Sequence, residues 1–133
     1  MKLHPAGSRP SETPDAAYFT GHVRMETVTA TADSAVKMAM VTFEPGARTA
    51  WHTHPKGQTL IVQSGLGLAQ TEGEDIRIIR PGDVIWFAAN PRHWHGAAPD
   101  TAMCHLAIQE AVDGSAVTWL EHVADADYLA PAK

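Results

Sequence analysis

Cysteine is nearly absent from the chain, with Cys104 alone among 133 residues. A single cysteine excludes an intrachain disulfide and suits a reducing compartment, so we expect a cytoplasmic location. Long apolar runs are missing too, since the longest, 84–89, is far shorter than a membrane-spanning segment. The first 15 residues lack the apolar segment that a secretory signal needs, so we expect no export.

Positive charge is scarce and is not clustered. The 10 lysines and arginines are outnumbered by 15 acidic residues, which gives a net charge of −5. Binding to nucleic acid needs a patch of Lys and Arg that contacts phosphates, so we exclude nucleic acid as a partner. The 44% hydrophobic content is ordinary for a globular protein, and the length suits one domain with its own core.

Helical patterning is confined to the C-terminal stretch VADADYLA. Elsewhere, short segments rich in β-branched residues alternate with turn signals such as EPGA, SGLG and RPGD, which indicates many short strands. We predict strands over 21–28, 36–44, 50–52, 58–63, 67–71, 76–79, 84–87, 93–97 and 102–110. Strands of this number and spacing are typical of an all-β sandwich or barrel. The chain is therefore divided into an irregular, proline-containing arm (1–20), a β domain (21–123) and a short C-terminal helix and tail (124–133).

Two histidines and a glutamine stand close together in the segment WHTHPKGQTLIV, residues 51–62. His52 and His54 are two residues apart, so they share one face of a strand, and Gln58 opens the next strand after a turn. Imidazole nitrogens with one side-chain oxygen suit a first-row divalent ion: Mn, Fe, Co, Ni or Zn. The segment indicates a metal site, with a hydrogen-bonded cluster of neutral side chains as the alternative.

A second group of histidines lies further along the chain. His93 and His95 repeat the same spacing in PRHWHGA, and His105 shares a strand face with Gln109. A barrel whose strands aim these side chains inward gathers imidazoles around one point. The remaining histidines are expected to be surface or hydrogen-bonded residues outside the site: His4, His22 and His122.

These spacings resemble the two sequence motifs of the cupin superfamily. The first, G-x5-H-x-H-x3/4-E-x6-G, is met by Gly46, His52, His54, Gln58 and Gly65, with glutamine in place of the usual glutamate. The second, G-x5-P-x-G-x2-H-x3-N, is met only at Gly82 and His93; Ala88, Asn90 and Ala97 stand where Pro, Gly and Asn are usual. The resemblance implies a single-domain double-stranded β-helix, or jelly-roll barrel. It also implies a metal ion held by His52, His54, Gln58 and His93.

A narrower resemblance covers the segments 41–62, 81–87, 93–99 and 105–110. They are similar to the bacterial cupin hydroxynitrile lyases, manganese-dependent enzymes that reversibly cleave (R)-mandelonitrile-type cyanohydrins into an aldehyde and hydrogen cyanide. The resemblance implies Mn²⁺ as the cofactor, with Fe²⁺, Ni²⁺, Co²⁺ or Zn²⁺ as alternatives, together with small-molecule substrates. Open sheet edges and the N-terminal arm predict a homodimer, which is common among small cupins. The resemblance further implies a Lewis-acid metal and a base, His95 or His105, of a residue type that titrates near neutral pH. In this scheme, Gln109 orients the nitrile or carbonyl.

Other functions remain open. One alternative is a cupin dioxygenase of the quercetinase or diketone type, which requires a redox-active metal. A neutral glutamine ligand argues against it, because it leaves the charge of the ion uncompensated and favours Lewis-acid chemistry. The others are an isomerase or lactone-handling enzyme, and a non-catalytic small-molecule-binding cupin. Each catalytic candidate has an alternative interpretation: His95 as an exposed residue or one that only supports the metal ligands, His105 as a hydrogen-bonded core histidine, and Gln109 as an inward-facing polar residue. Core packing is the preferred interpretation for three further residues that are predicted to line the barrel: Phe43, Leu60 and Trp86.

Overall fold

The computed structural model describes residues 1–29 and 31–133, which form two antiparallel sheets. The strands are β1 (Phe19–Thr20), β2 (Val23–Thr27), β3 (Val36–Phe43), β4 (Arg48–Thr49), β5 (His52–Thr53), β6 (Gln58–Gly65), β7 (Gly67–Thr71), β8 (Arg77–Ile79), β9 (Val84–Phe87), β10 (His93–Ala97), β11 (Met103–Glu110) and β12 (Thr118–Trp119). Within the described ranges, the one α-helix is α1 (Asp125–Tyr128). No helix in that part of the chain is long and apolar enough to cross a membrane.

The two sheets enclose the main hydrophobic core. One contains β7, β8 and the path β1-β4-β10-β5-β12, and the other follows the order β2-β3-β11-β6-β9. Strand β10 is central because it pairs with β4, β5 and β7. Inward-facing residues of both sheets form the core, including Phe43, Leu60 and Met103, each of which is at most 1% exposed. The prediction of an all-β fold with a short C-terminal helix is confirmed, and the division of the chain into arm, β domain and tail stays a prediction.

The predicted strands agree with the observed ones where a strand is long enough to show alternating apolar and polar residues or a clear β-branched run. The strands at 67–71, 84–87 and 93–97 have the predicted bounds. The strand predicted over 21–28 is shorter in the structure, where β2 spans Val23–Thr27, because Gly21 takes a left-handed φ of +80° in the turn between β1 and β2. The strand predicted over 50–52 is wrong in its bounds, because Ala50 and Trp51 lie outside the strands, between β4 and β5, and only His52 belongs to a strand. Two-residue strands such as β12 have too few residues to show periodicity.

Trp86 does not line the interior, contrary to the prediction, and is 62% exposed. On β9, Phe87 lies opposite the buried Gln58 of β6, whereas Trp86 lies opposite Thr59. Because side chains alternate across a strand, Phe87 points inward and Trp86 outward. The run Val-Ile-Trp-Phe is apolar at every position, so the sequence pattern did not distinguish its two faces.

The C-terminal segment, residues 116–133, is anchored to the seven-stranded sheet through a buried arginine. Arg48 Nη2 donates to the Val123 carbonyl oxygen at 2.8 Å and to the Asp125 carboxylate at 2.7 Å. The Arg48 guanidinium carbon lies 4.4 Å from the centre of the Tyr128 ring, and the Tyr128 hydroxyl donates to the Ala97 carbonyl oxygen at 2.7 Å. These contacts hold the segment against the sheet, to which β12 is also joined by its pairing with β5.

Gly65, which ends the first motif, provides a test of this packing. Its φ is +81°, and a Cβ there would lie 1.8 Å from the Ala102 carbonyl oxygen. Gly73 is a matched control, because its φ is +82° and a Cβ there would meet nothing within 4 Å. We expect Gly73→Ala to lower the free energy of unfolding by about 1–2 kcal/mol through backbone strain alone, and Gly65→Ala to lower it further. Urea denaturation measures both, and equal losses would contradict the steric argument.

Candidate functional site

Strand register brings three histidines to one point of the interior. His52 of β5 lies directly opposite His93 of β10, and their ring centroids are 4.3 Å apart. His95 follows two residues later on β10, so it points the same way as His93, and its centroid lies 5.2 Å from that of His52. One nitrogen from each ring lies within 4.8 Å of the other two. All three side chains are buried.

Gln58 and His54 complete the cluster from neighbouring segments. Gln58 opens β6, and His54 comes just after β5, with its ring centroid 5.0 Å from that of His52. Phe87 of β9 stacks on the His93 ring at a centroid distance of 3.9 Å and an angle of 8°, which restrains the plane of His93. The side chains of Gln58 and His54 are buried, so their polar atoms need partners inside the protein.

The backbone favours one tautomer of three of these imidazoles, the one protonated at Nδ1. Each donates its Nδ1–H to a main-chain carbonyl oxygen: His52 to Ala50 at 2.9 Å, His54 to Ala116 at 2.5 Å and His93 to Pro91 at 3.2 Å. A neutral imidazole has only one N–H, so Nε2 of each ring keeps a free lone pair. Carbonyl oxygens behind the ring orient histidine ligands in this way at metal sites.

His93 and Gln58 face each other with acceptor atoms. His93 Nε2 lies 3.2 Å from Gln58 Oε1, while the Gln58 amide Nε2 donates to Gln109 Oε1 at 3.0 Å. In the tautomer whose Nδ1–H is given to Pro91, neither His93 Nε2 nor Gln58 Oε1 has a proton to share. Two lone pairs at this distance in a buried site repel each other unless a positive charge binds them both. The three anchored imidazoles and the amide oxygen therefore fit a divalent metal ion.

His95 and His105 form a pair that joins the two sheets. His95 Nδ1 and His105 Nε2 are 2.9 Å apart, so one of them donates to the other. Three ring nitrogens of the site are buried with no hydrogen-bond partner among the described residues: His54 Nε2, His95 Nε2 and His105 Nδ1. A buried polar atom without a partner costs free energy, so we interpret these nitrogens as atoms that face a ligand or substrate.

Burial keeps the five histidines of the site neutral at neutral pH. The loss of hydration lowers the pKa of His93 and of His105 to about 4, and it also lowers the pKa of His54. It holds the pKa of His52 and of His95 well below the ordinary value, and repulsion from a neighbouring imidazolium adds to the effect. His95 and His105 are therefore not poised near neutral pH, as their residue type alone suggests. They carry free lone pairs there, but they are weak bases.

A cavity of about 390 Å³ opens beside these side chains. Its lining combines the histidines, Gln58 and Gln109 with apolar side chains of both sheets, and the N-terminal arm adds Pro14, Asp15 and Tyr18. The Tyr18 and Trp119 rings stack with centroids 4.9 Å apart, and Trp119 also lies 4.8 Å from the His52 ring. Small-molecule sites commonly measure about 300–1,000 Å³. The cavity therefore suits a small, largely apolar molecule with a polar group at one end.

All seven residues selected from the sequence lie in this one cluster, but the geometry groups them differently from the motif. The three rings whose nitrogens converge include His95, whereas the motif implies His54 as a ligand. Sequence reasoning missed three parts of the site: the stacked Phe87, the β12 residue Trp119 and the Ala116 carbonyl oxygen. The Val-Thr-Trp run at 117–119 was a signal for β12, since β-branched and aromatic residues favour strands. The contact of His54 with the Ala116 carbonyl oxygen could not be predicted, because every residue has a main-chain carbonyl group.

Known proteins share this fold. Residues 39–108 match the cupin domain family. The chain is 57% identical to an (R)-mandelonitrile lyase of Granulicella tundricola, over 96% of this chain and 98% of that protein. A cupin-like protein of Thermotoga maritima superposes with a TM-score of 0.85 at 37% identity, covering 94% of this chain and 95% of the other. A polyketide cyclase of Streptomyces resistomycificus shares the fold at 15% identity, with a TM-score of 0.76 and coverage of 96% and 90%. The chain therefore belongs to the cupin family, as its motifs predict.

Proposed function

We propose that this cupin is a metal-dependent hydroxynitrile lyase, which cleaves and forms (R)-mandelonitrile-type cyanohydrins. The observation that carries the proposal is a donor set of metal-binding type beside two neutral histidines and an apolar cavity. The 57% identity to the Granulicella tundricola lyase, over nearly the whole of both chains, supports the same reaction. A cyanohydrin of an aromatic aldehyde matches the cavity, because it has a hydroxyl and a nitrile at one end and an apolar ring at the other.

The proposed metal ligands are His52, His54, Gln58 and His93, and the proposed ion is Mn²⁺. His54 is preferred to His95 because its Nδ1, like those of His52 and His93, is anchored on a carbonyl oxygen, whereas His95 Nδ1 is paired with His105. A bound divalent ion supplies Lewis acidity, which polarises the substrate oxygen and lowers the pKa of a hydroxyl group.

His95 is the proposed base. Its Nε2 is buried without a hydrogen-bond partner among the described residues, and its ring is one of the three that converge. When His95 Nδ1–H donates to His105 Nε2, the lone pair on His95 Nε2 accepts the cyanohydrin hydroxyl proton. The oxygen then forms the carbonyl, the carbon–carbon bond breaks, and the same proton passes from Nε2 to the departing cyanide. His105 thus acts through His95, by setting its tautomer.

The apolar side chains that line the cavity are proposed to bind the aryl group of the substrate. Phe19, Phe43 and Trp119 line it, and they offer apolar surface to an aryl group. Packing of the aryl group against them excludes water, which strengthens the electrostatic interactions at the polar groups. The apolar lining beside the polar groups of the site supports aromatic cyanohydrins, rather than small aliphatic ones, as substrates.

The homodimer and the cytoplasmic location stay predictions. Among the described residues, Val84 and Trp86 are 65% and 62% exposed on β9, which ends the five-stranded sheet. An edge strand with large exposed apolar side chains is prone to association, which supports pairing with a second copy of the chain. Sedimentation of the purified protein tests the dimer, and a purely monomeric species would contradict it.

We expect the Mn²⁺-loaded protein to release benzaldehyde from racemic mandelonitrile faster than the spontaneous reaction, in acidic buffer without oxygen. Chelator-stripped protein should show only background release and should recover when Mn²⁺ is added. Absorbance of the aldehyde measures the rate, and chiral chromatography shows which enantiomer is consumed. No release from fully metallated protein would overturn the lyase assignment, and oxygen uptake with a diketone or flavonol would then test the dioxygenase alternative.

Metal analysis of single variants tests the ligand set. We expect His54→Ala to lose its bound Mn²⁺ on gel filtration, because it removes an anchored Nε2 donor. His22→Ala is the matched control, since that histidine is exposed and should leave the metal content unchanged. If His54→Ala keeps the ion and His95→Ala loses it, the ligands are instead the three converging histidines.

Turnover of metal-loaded variants tests the base. We expect His95→Ala to keep its metal and to lower kcat by about 100- to 10,000-fold, the usual contribution of a general base. His105→Asn should lower kcat by less, because it removes only the partner that orients His95. The opposite order, with His105→Asn inactive and His95→Ala active, would assign the base to His105.

A further inference from the structure

The amide of Gln58 differs in one respect from the carboxylate that cupins usually have at this position. Its two ends are unlike, since Oε1 can bind a cation, whereas Nε2 carries two N–H groups that a cation repels. A half-turn of the amide plane therefore replaces a ligand by a group of the wrong polarity. A carboxylate has two equivalent oxygens, so the same rotation leaves it a ligand. An amide ligand thus needs a neighbour that determines its orientation.

Gln109 makes the contact that distinguishes the two ends of the Gln58 amide. The two residues lie directly opposite each other on β6 and β11, which places their side chains on the same face of the sheet. Gln58 Nε2 donates to Gln109 Oε1 at 3.0 Å, and Gln58 Oε1 is then left 3.2 Å from His93 Nε2. Gln58 is only 4% exposed, so solvent is a poor substitute for this acceptor.

The hydrogen bond between Gln58 and Gln109 matters because the Gln58 amide has a second possible orientation. His93 Nε2 has a lone pair, and the Gln58 N–H groups could donate to it if the amide turned over. That arrangement satisfies the amide nitrogen without Gln109, but it directs N–H groups into the cluster of imidazole nitrogens. An acceptor on Gln109 lowers the cost of the orientation in which Oε1 faces the histidines. Without that acceptor, the orientation with Oε1 toward the histidines would be less stable in the metal-free protein. Metal binding would have to impose that orientation, so the affinity for the ion would be lower.

We propose that Gln109 is a positioning residue, which holds the Gln58 amide with its oxygen toward the histidines and so raises the affinity of the site for a divalent metal ion. The inference rests on the metal site of the proposed function. It gives Gln109 a role that acts through Gln58, instead of the orientation of a nitrile or carbonyl that its place on the His105 face of the strand predicted. The role follows from the amide at position 58, and it would be unnecessary with a carboxylate there.

The test is a double-mutant cycle on the full chain stripped of metal, with the Kd for Mn²⁺ measured by calorimetry. The cycle compares the wild type, Gln109→Met, Gln58→Glu and the double variant. Methionine keeps the unbranched shape of glutamine without its carbonyl oxygen. We expect Gln109→Met to weaken Mn²⁺ binding by about 10- to 100-fold in the wild-type background, the usual effect of losing a residue that supports a ligand. In the Gln58→Glu background, the same change should weaken binding by less than about threefold, near the limit of additivity.

Two further variants separate orientation from packing. Gln109→Glu keeps an acceptor facing Gln58 and should retain Mn²⁺ affinity in the wild-type background. Gln63→Met is the matched control, because Gln63 lies exposed on the same strand as Gln58. It should bind Mn²⁺ as the wild type does. Thermal unfolding of the stripped proteins should be similar for all variants, which would show that the changes in affinity do not arise from misfolding.

The outcomes separate this inference from the lyase assignment. Equal losses in both backgrounds, or no loss in the wild-type background, would overturn the role of Gln109. If the wild type binds no Mn²⁺ at all, the metal site and the role of Gln109 both fail. A protein that shows the expected coupling but no mandelonitrile turnover would support Gln109 as a positioning residue while it overturns the lyase activity.

Discussion

The site depends on the contact of His93 Nε2 with Gln58 Oε1, which lie 3.2 Å apart in a buried place and are both acceptors when the His93 Nδ1–H is given to Pro91. Such a contact is unfavourable by itself, and burial makes protonation of His93 unfavourable too, because desolvation lowers its pKa to about 4. The rest of the site maintains this arrangement. Carbonyl oxygens occupy the Nδ1–H groups behind the rings, Phe87 restrains the plane of His93, and Gln109 occupies the amide nitrogen.

The scaffold explains how so many buried polar groups are held in place. The two sheets meet over a continuous apolar core, and the cavity lies between them, with His95 on one sheet and His105 on the other. The C-terminal segment contributes as well, since it supplies the Ala116 carbonyl oxygen for His54 and the Trp119 ring beside His52. Its anchoring through Arg48 links the stability of that outer segment to the geometry of the site.

Much of the fold was predictable because its signals are local. Turn residues and β-branched segments indicated an all-β domain, and the spacing of His52, His54 and Gln58 indicated the cupin motif. The errors have local causes too. Trp86 was placed inside because every residue of its strand is apolar, and β12 was missed because two residues show no period. The expectation that His95 or His105 titrates near neutral pH was wrong, because depth of burial determines the pKa and is not visible in the sequence.

The sequence by itself determined which side chains are available, namely several histidines and a glutamine in place of glutamate. It also determined that the chain forms many short strands, which is typical of an all-β sandwich or barrel. These follow from residue type and from spacing along the chain. Only the tertiary structure decided which nitrogens are free, which carbonyl oxygens hold the rings, and which end of the Gln58 amide faces them. His52 and His93 are held by carbonyl oxygens only two residues away, at Ala50 and Pro91. The contacts of His54 with Ala116 and of Gln58 with Gln109 join residues far apart in the chain, so the packing of strands and segments sets them rather than local preference.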